Sequence, residues 1–219
     1  MSVITTVCDL LDEYHGEKQW SNGRPILDEL IYTILSQNTS AANSDRAYES
    51  LVNRFETWQA VAGSPVEDIA SAIKSGGLAN IKAPRIKNIL LQIGERQHGD
   101  TNLDWLAELT DKEAVDYLLG FEGVGRKTAA CVLMFSLGRP ALPVDTHVHR
   151  VAMRLGLIEK VSADAAHDLL AQIVPAERIY SFHINMVAHG RQVCHARGPK
   201  CSQCVLDRIC RWAGSNKGG

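Results

Sequence analysis

Two residues of opposite charge frame the chemistry open to this 219-residue sequence. Lys127 lies in "GFEGVGRKTAACVLMF", two places after a Gly-Val-Gly turn, where an apolar helical stretch begins. The unpaired N–H groups at a helix start carry about half a positive charge, so Arg126 and Lys127 each meet like charge there. The turn itself has the makings of an anion site, because glycines let backbone approach a ligand closely and the N–H groups point outward. A plain helix–helix turn is the alternative. The helix-end charge, Arg126 and any burial all disfavour the ammonium form of Lys127. That is the condition for a Schiff-base nucleophile, although phosphate contact or simple solvation would also suit the position. Asp145, in "PVDTHVHRV", stands between an extended Pro-Val and the next helical stretch. It reads as an N-cap, or as the carboxylate of an acid–base pair with a lysine. His147 and His149, two places apart, diverge on a helix and are not expected to share a metal.

Six cysteines are unevenly spread. Cys8 and Cys131 stand alone in apolar helical contexts and are expected to be buried thiols. Cys194, Cys201, Cys204 and Cys210 fall within 17 residues, with gaps of six, two and five. In a chain with no secretion signal, such clustering points to metal rather than disulfides. A single Cys-x-x-Cys knuckle favours an iron–sulfur cluster over zinc, whose modules more often pair two such knuckles. Arg197 and Lys200 make the loop between the first two cysteines basic. "IKAPRIKN", with Lys82, Arg85 and Lys87, is a second basic run. Either alone is an ordinary solvated face. Two of them beside a glycine hairpin suggest a directed phosphate-binding surface.

Helical periodicity supplies the elements that must position these groups, and no run alternates as a strand. The pattern predicts helices at Asp28–Ser36, Ala41–Phe55, Pro65–Lys74, Pro84–Arg96, Leu103–Leu109, Lys112–Leu119, Arg126–Leu137, Thr146–Leu155, Ala163–Ile173 and Arg178–His189. The fold class is therefore all-α, with short connections. "GRPALPVD" is the best internal boundary, and two lobes sharing a cleft are expected. Composition is ordinary, with 45% hydrophobic and 22% charged residues. The formal net charge of −2 excludes a global basic field, so any nucleic-acid site must be local. The N-terminus lacks the basic and apolar regions of a signal peptide, and no apolar run is long enough to span a membrane. A cytoplasmic, nucleoid-associated location is the expectation.

Together these residues resemble the endonuclease III branch of the helix–hairpin–helix DNA glycosylases. "GVGRKTA" is similar to the family's hairpin and catalytic lysine, matching Lys127. "VDTH" is similar to its catalytic aspartate segment, matching Asp145. Cys-x6-Cys-x2-Cys-x5-Cys is similar to its 4Fe–4S loop. The similarity runs from about Leu27 to Cys210. It implies a six-helix barrel over 25–139, with the helix–hairpin–helix at about 114–137. An iron–sulfur domain would combine 1–24 with 140–213, leaving a frayed tail at 214–219. It further implies a monomer that binds duplex DNA carrying a damaged base or an abasic site. Such an enzyme flips the nucleotide out, excises the base, mostly an oxidised pyrimidine, and cleaves the strand by β-elimination. By the same resemblance Gly123, Val124, Gly125 and Arg126 hold the DNA backbone. Leu78, at the "GGLAN" tip, is the apolar wedge, and Gln37 or Asn38 of "LSQNTS" fills the vacated space. Arg197 and Lys200 add backbone contacts. Three positions depart from the family. Glu122 replaces a common proline, Asn38 stands where a glutamine is usual, and Ala79 follows the wedge in place of a larger residue. Two other readings stay open: a monofunctional glycosylase for alkylated or mismatched bases, and a DNA- or redox-binding module without turnover.

Overall fold

The computed structural model describes residues 2–216. They are all-α, with no strand among them. In chain order the helices are α1 (Val3–His15), α2 (Ile26–Leu35), α3 (Ala41–Arg54), α4 (Trp58–Gly63), α5 (Val66–Ala72), α6 (Ala79–Arg96), α7 (Asp111–Leu119), α8 (Arg126–Leu137), α9 (Thr146–Leu155), α10 (Ala163–Ile173), α11 (Ile179–Gln192) and α12 (Arg211–Asn216). Short 3₁₀ turns lie at Lys74–Gly76, Asp104–Glu108, Ala176–Arg178 and Cys201–Gln203. The chain divides into two compact units, Asn22–Leu137 and Met1–Ser21 with Gly138–Gly219.

In the Asn22–Leu137 unit, α2 is the central helix. Leu30, Ile31, Ile34 and Leu35 have no exposed surface, and each such burial is worth about 1.5–3 kcal/mol of transfer free energy. α2 packs on α3, α6 and α8. Its direction against α8 is fixed at both ends. Gly23, just before α2, touches the carbonyl of Phe135 near the end of α8 so closely that a Cβ would overlap it. Gln37, just after α2, donates from Nε2 to the carbonyl of Gly123, just before α8, at 3.3 Å. The two helices therefore run antiparallel.

The Met1–Ser21 and Gly138–Gly219 unit joins the N-terminal helix to the C-terminal third of the chain. α1 packs on α11. The pairing turns on Asp12, which accepts from Arg178 Nη2 and Asn185 Nδ2, both at 2.7 Å, and from the Ser181 hydroxyl. α9 packs on α11 and α12.

The observed elements depart from the sequence pattern in several places. α1, α4 and α12 were not anticipated. The stretch at Leu103–Leu109 is a 3₁₀ turn rather than an α-helix. Residues 214–216, expected in a frayed tail, lie in the last turn of α12, and 217–219 fall outside the described residues. The largest departure is at Pro84. The sequence pattern starts a helix there, yet α6 begins five residues earlier, at Ala79. Proline interrupts one backbone bond of the helix, but Lys82 and Ala83 hold the early turn by burial.

Lys82 also overturns the second basic run as a surface patch. Its side chain is 1% exposed. Nζ donates to the carbonyl of Leu35 at 2.6 Å and to that of Gly76 at 3.0 Å. The first is the last residue of α2, where unpaired carbonyls and the helix dipole favour a cation. The second belongs to the turn leading into Leu78. Burial lowers the Lys82 pKa, and the two carbonyls compensate the charge. Lys87 likewise turns away from the surface, donating to the Ser64 carbonyl at 2.7 Å. Lys82→Met leaves both carbonyls unpaired. It is expected to cost about 2 kcal/mol or more, read as a lower urea midpoint at unchanged m-value; an unchanged midpoint would contradict this account.

Candidate active site

The hairpin between α7 and α8 is built from two anchors. Phe121 and Val124 turn their side chains into the core, at 2% and 5% exposure. The N–H of Val124 donates to the Phe121 carbonyl at 3.1 Å and closes the turn. Glu122, Gly123 and Gly125 are left on the surface. Val124 therefore offers a ligand only backbone. Gly123 adopts φ +79°, a left-handed conformation suited to glycine. Gly125 has ordinary φ, and a Cβ there would meet nothing. No neighbour in the protein requires glycine at 125, so its bareness is suited to something approaching from outside.

A brace from two other elements holds the hairpin. Gln37 donates to the Gly123 carbonyl and accepts from Arg85 Nη1 on α6 at 3.1 Å. The Arg85 guanidinium lies against Gly123, where any Cβ would overlap it. A cation thus sits one residue from Glu122. Both ends of the Gln37 amide are engaged, whereas Asn38 is exposed and left-handed at φ 56°. Leu78 is left-handed too, at φ 51°, and is 48% exposed at the head of α6. Ile81, nearly one turn on, is 54% exposed. Lysine 82 beneath them ties this tip to the end of α2.

Lys127 stands half-buried in the first turn of α8. On α2, which packs against α8, Glu29 has a side chain that is 4% exposed. Glu29 pairs with Arg24 Nη1 at 3.1 Å and accepts from the Thr33 hydroxyl at 3.1 Å. Burial raises the Glu29 pKa, while Arg24, Thr33 and the charge of Lys127 pull it back.

In the other unit, Asp145 caps α9. Its Oδ1 accepts from the N–H groups of His147 at 2.9 Å and Val148 at 2.8 Å, leaving Oδ2 outside the cap. The approach to it is pinned by the buried side chains of Leu142 and Val144. His167 of α10 and His183 of α11 hold the carbonyls of Leu142 and Pro143 at 3.0 and 2.9 Å; with a carbonyl as acceptor, the ring nitrogen donates. The rings of His147 and His149 are engaged separately, with Arg150 and with the Val161 carbonyl.

The same α9 grips the cysteine loop. Arg150 Nε donates to the Cys194 carbonyl at 3.1 Å. Arg154 Nη1 donates to the His195 carbonyl at 2.7 Å and to Cys194 Sγ at 3.2 Å. His189, buried at 1% exposure, places Nε2 3.4 Å from Cys204 Sγ. Burial holds the imidazole neutral, with its pKa lowered to about 4. Burial also pushes the Cys204 thiol up to about 11, and Cys194, Cys210 and Cys201 all act in the same direction. Four sulfurs near enough to oppose one another's ionisation, with Arg154 donating to one and the His189 ring nitrogen beside another, fit a cationic group that takes thiolate ligands. Among the described residues no three His, Cys, Asp or Glu side chains converge on one metal ion. Arg197 and Lys200 are exposed on this loop. Cys8 and Cys131 are buried, at 2% and 3% exposure.

The family model of the HhH-GPD superfamily base excision DNA repair proteins matches residues 31–176. The chain belongs to this superfamily. It is similar to an Arabidopsis thaliana protein that bears the name of a DNA glycosylase, 37% identical over 187 residues. That match takes in 85% of this chain and 62% of the relative, so the chain spans less than two thirds of that relative's length. Endonuclease III of Thermotoga maritima is 33% identical over 183 residues, 84% of this chain and 81% of the relative. A solved endonuclease III bound non-covalently to DNA matches with TM-score 0.82 at 28% identity, covering 100% of both chains. The protein is thus a base-excision DNA glycosylase with the all-α fold of the superfamily.

The sequence singles out Lys127, Asp145 and the four cysteines as candidates, and it does not single out Glu29, Arg85 as a hairpin brace, or the histidines that seat Asp145. Arg85 and the two histidines meet partners 25 to 48 residues away, whereas Glu29 is bonded locally, to Arg24 and Thr33, and only its burial sets it apart. A pair of substitutions separates the two glycines. Gly123→Ala is expected to lose about 1–3 kcal/mol of stability through its positive φ, with further loss from overlap with Arg85. Gly125→Ala is expected to melt like the parent and to weaken binding of an abasic-analogue duplex. Equal melting losses in both variants would contradict the assignment.

Proposed function

We propose that this glycosylase is bifunctional, removing oxidised pyrimidines from duplex DNA and then cleaving the abasic strand. The observation that carries the reading is the position of Lys127. It stands in the first turn of α8, directly behind a surface-exposed glycine hairpin. The hairpin N–H groups and the head of α8 grip a phosphate. Leu78, half-exposed at the tip before α6, replaces the flipped nucleotide in the stack, and Asn38 reads the space it leaves. Ile81 adds apolar surface beside the wedge where Ala79 offers little.

Lys127 Nζ, as the free amine, attacks the anomeric carbon C1′. The bond from C1′ to the base breaks, and the base leaves with a proton. Asp145, through Oδ2, stabilises positive charge developing on the sugar. The sugar ring then opens at the C1′–O4′ bond. O4′ takes up a proton and Nζ becomes part of a protonated Schiff base. Loss of a C2′ proton expels the 3′ phosphate, which is the β-elimination.

Cys194, Cys201, Cys204 and Cys210 would hold a 4Fe–4S cluster, which would supply a rigid cross-link for the loop presenting Arg197 and Lys200. Arg154 and His189 would donate to two of its thiolates.

A panel of duplexes bearing an oxidised pyrimidine, an alkylated base or a mismatch tests the substrate. The oxidised pyrimidine is expected to be released fastest under single turnover, and faster release of either other class would overturn that choice. Lys127→Gln and Asp145→Asn are each expected to slow base release by about 10²–10⁴-fold without changing duplex affinity more than a few-fold. Retained activity in either variant would remove that residue from the site. Metal analysis is expected to return about four irons per chain; stoichiometric zinc instead would overturn the cluster assignment.

A further inference from the structure

Glu29 is a buried carboxylate that neither the hairpin nor the DNA surface accounts for. Its side chain is 4% exposed, and the residue lies near the start of α2. Because α2 and α8 run antiparallel, Gln37 at the end of α2 meets Gly123 at the head of α8. Passing from Gly123 to Lys127 along α8 corresponds to passing back along α2 toward Thr33 and Glu29, which share a face one turn apart. Lys127 is near enough for its charge to act on the Glu29 carboxyl. The Arg24 guanidinium, 41% exposed, pairs with Oε2, and the Thr33 hydroxyl holds Oε1. Tyr32 of the same helix and Tyr48 of α3 also feel Glu29. Their phenols are kept protonated by burial and by hydrogen bonds to Asp45 and Asp28. From α6, Lys82 faces the opposite end of α2, at Leu35. Arg24 and Lys127 are therefore the cations that act on this carboxylate.

We propose that Glu29 is the countercharge for the protonated Schiff base formed on Lys127, a positioning residue that favours the strand-cleaving half of the reaction. This rests on Lys127 being the nucleophile. Before attack the Lys127 ammonium gives up one proton; as Nζ–C1′ forms and the C1′–base bond breaks, Nζ becomes positively charged, and it returns to neutral by giving a proton to the departing base. After the ring opens, Nζ carries a positive charge and one N–H. That cation is the electron sink for removal of the C2′ proton, and it loses its power once the N–H proton leaves. A fixed carboxylate in a low-dielectric setting favours the charged form and holds the proton in place to higher pH. Base release first needs the neutral amine, which a carboxylate disfavours, and then develops charge on Nζ, which it favours, so the two effects oppose; the Schiff base must stay charged throughout, and the strand-cleaving half therefore depends more on Glu29.

The experiment uses the full-length protein with a duplex containing an oxidised pyrimidine. Base release, β-elimination and borohydride-trapped adduct are followed in single turnover from pH 6 to 9. Glu29→Gln keeps the size and the bond to Thr33 and removes the charge. It is expected to lower adduct yield and β-elimination by at least about tenfold at pH 8, with the deficit growing as pH rises and base release within a few-fold of the parent. Glu29→Asp, charged but shorter, is expected to recover part of the loss. Equal losses in base release and β-elimination would mark Glu29 as merely structural and overturn the proposal, as would an unchanged pH profile. If Glu29→Gln does not fold, Glu29→Asp carries the test. Reduced adduct with intact base release supports the proposal, and parental adduct at every pH overturns it. Absence of adduct in the unsubstituted protein would instead be a failure of Lys127 as nucleophile, which the same assay distinguishes.

Discussion

The helix start at Arg126 and Lys127 sets the central constraint on this protein. Two cations stand where the first N–H groups of α8 already present positive charge. Such an arrangement persists only if packing holds the helix head in place and something nearby opposes the charge. Packing comes from Phe121 and Val124, which drive the turn into the core. The brace comes from Gln37 and Arg85, which clasp Gly123 from two other helices. The opposing charge comes from Glu29, buried on the antiparallel α2. Each device serves the same end: an amine held at a fixed place beside an exposed glycine turn.

A second chain of dependence runs through α9. Asp145 caps its first turn, and Arg150 and Arg154 in its later turns grip the cysteine loop. The linker before it is buried and held by His167 and His183. One helix therefore fixes the orientation of a carboxylate at one end and of a basic loop at the other. Disturbance of the cysteine loop has a direct mechanical route to Asp145 through ten residues of helix.

The parts that were legible in the sequence are those whose chemistry forces close spacing. Four cysteines within one loop, a lysine after Gly-Val-Gly, and an aspartate opening a helix all leave short-range patterns. The buried faces of α2 and α6 were legible for the same reason, since Leu30, Ile31, Ile34 and Leu35, and Ile86, Ile89, Leu90 and Ile93, recur at helical period. What misled was charge. "IKAPRIKN" looks like a solvated basic face, yet Lys82 plugs the carbonyl end of α2, Lys87 caps a loop carbonyl and Arg85 packs on the hairpin. Their partners lie 47, 23 and 48 residues away, beyond any local pattern. Glu29 is hidden for another reason: its bonds to Arg24 and Thr33 are local, but nothing in "LDELIY" marks it as the buried acid. Glu122, which reads in isolation as a defect in the hairpin, becomes intelligible once Arg85 is found beside the next residue.

The measurement that bears most directly on this account is the site of covalent attachment. Protein reacted with a duplex containing an oxidised pyrimidine, reduced with borohydride and digested, can be mapped by mass spectrometry. The account requires the sugar remnant on the peptide spanning Gly125 to Met134, on Lys127. Attachment to another amine, or base release with no adduct anywhere, would contradict it.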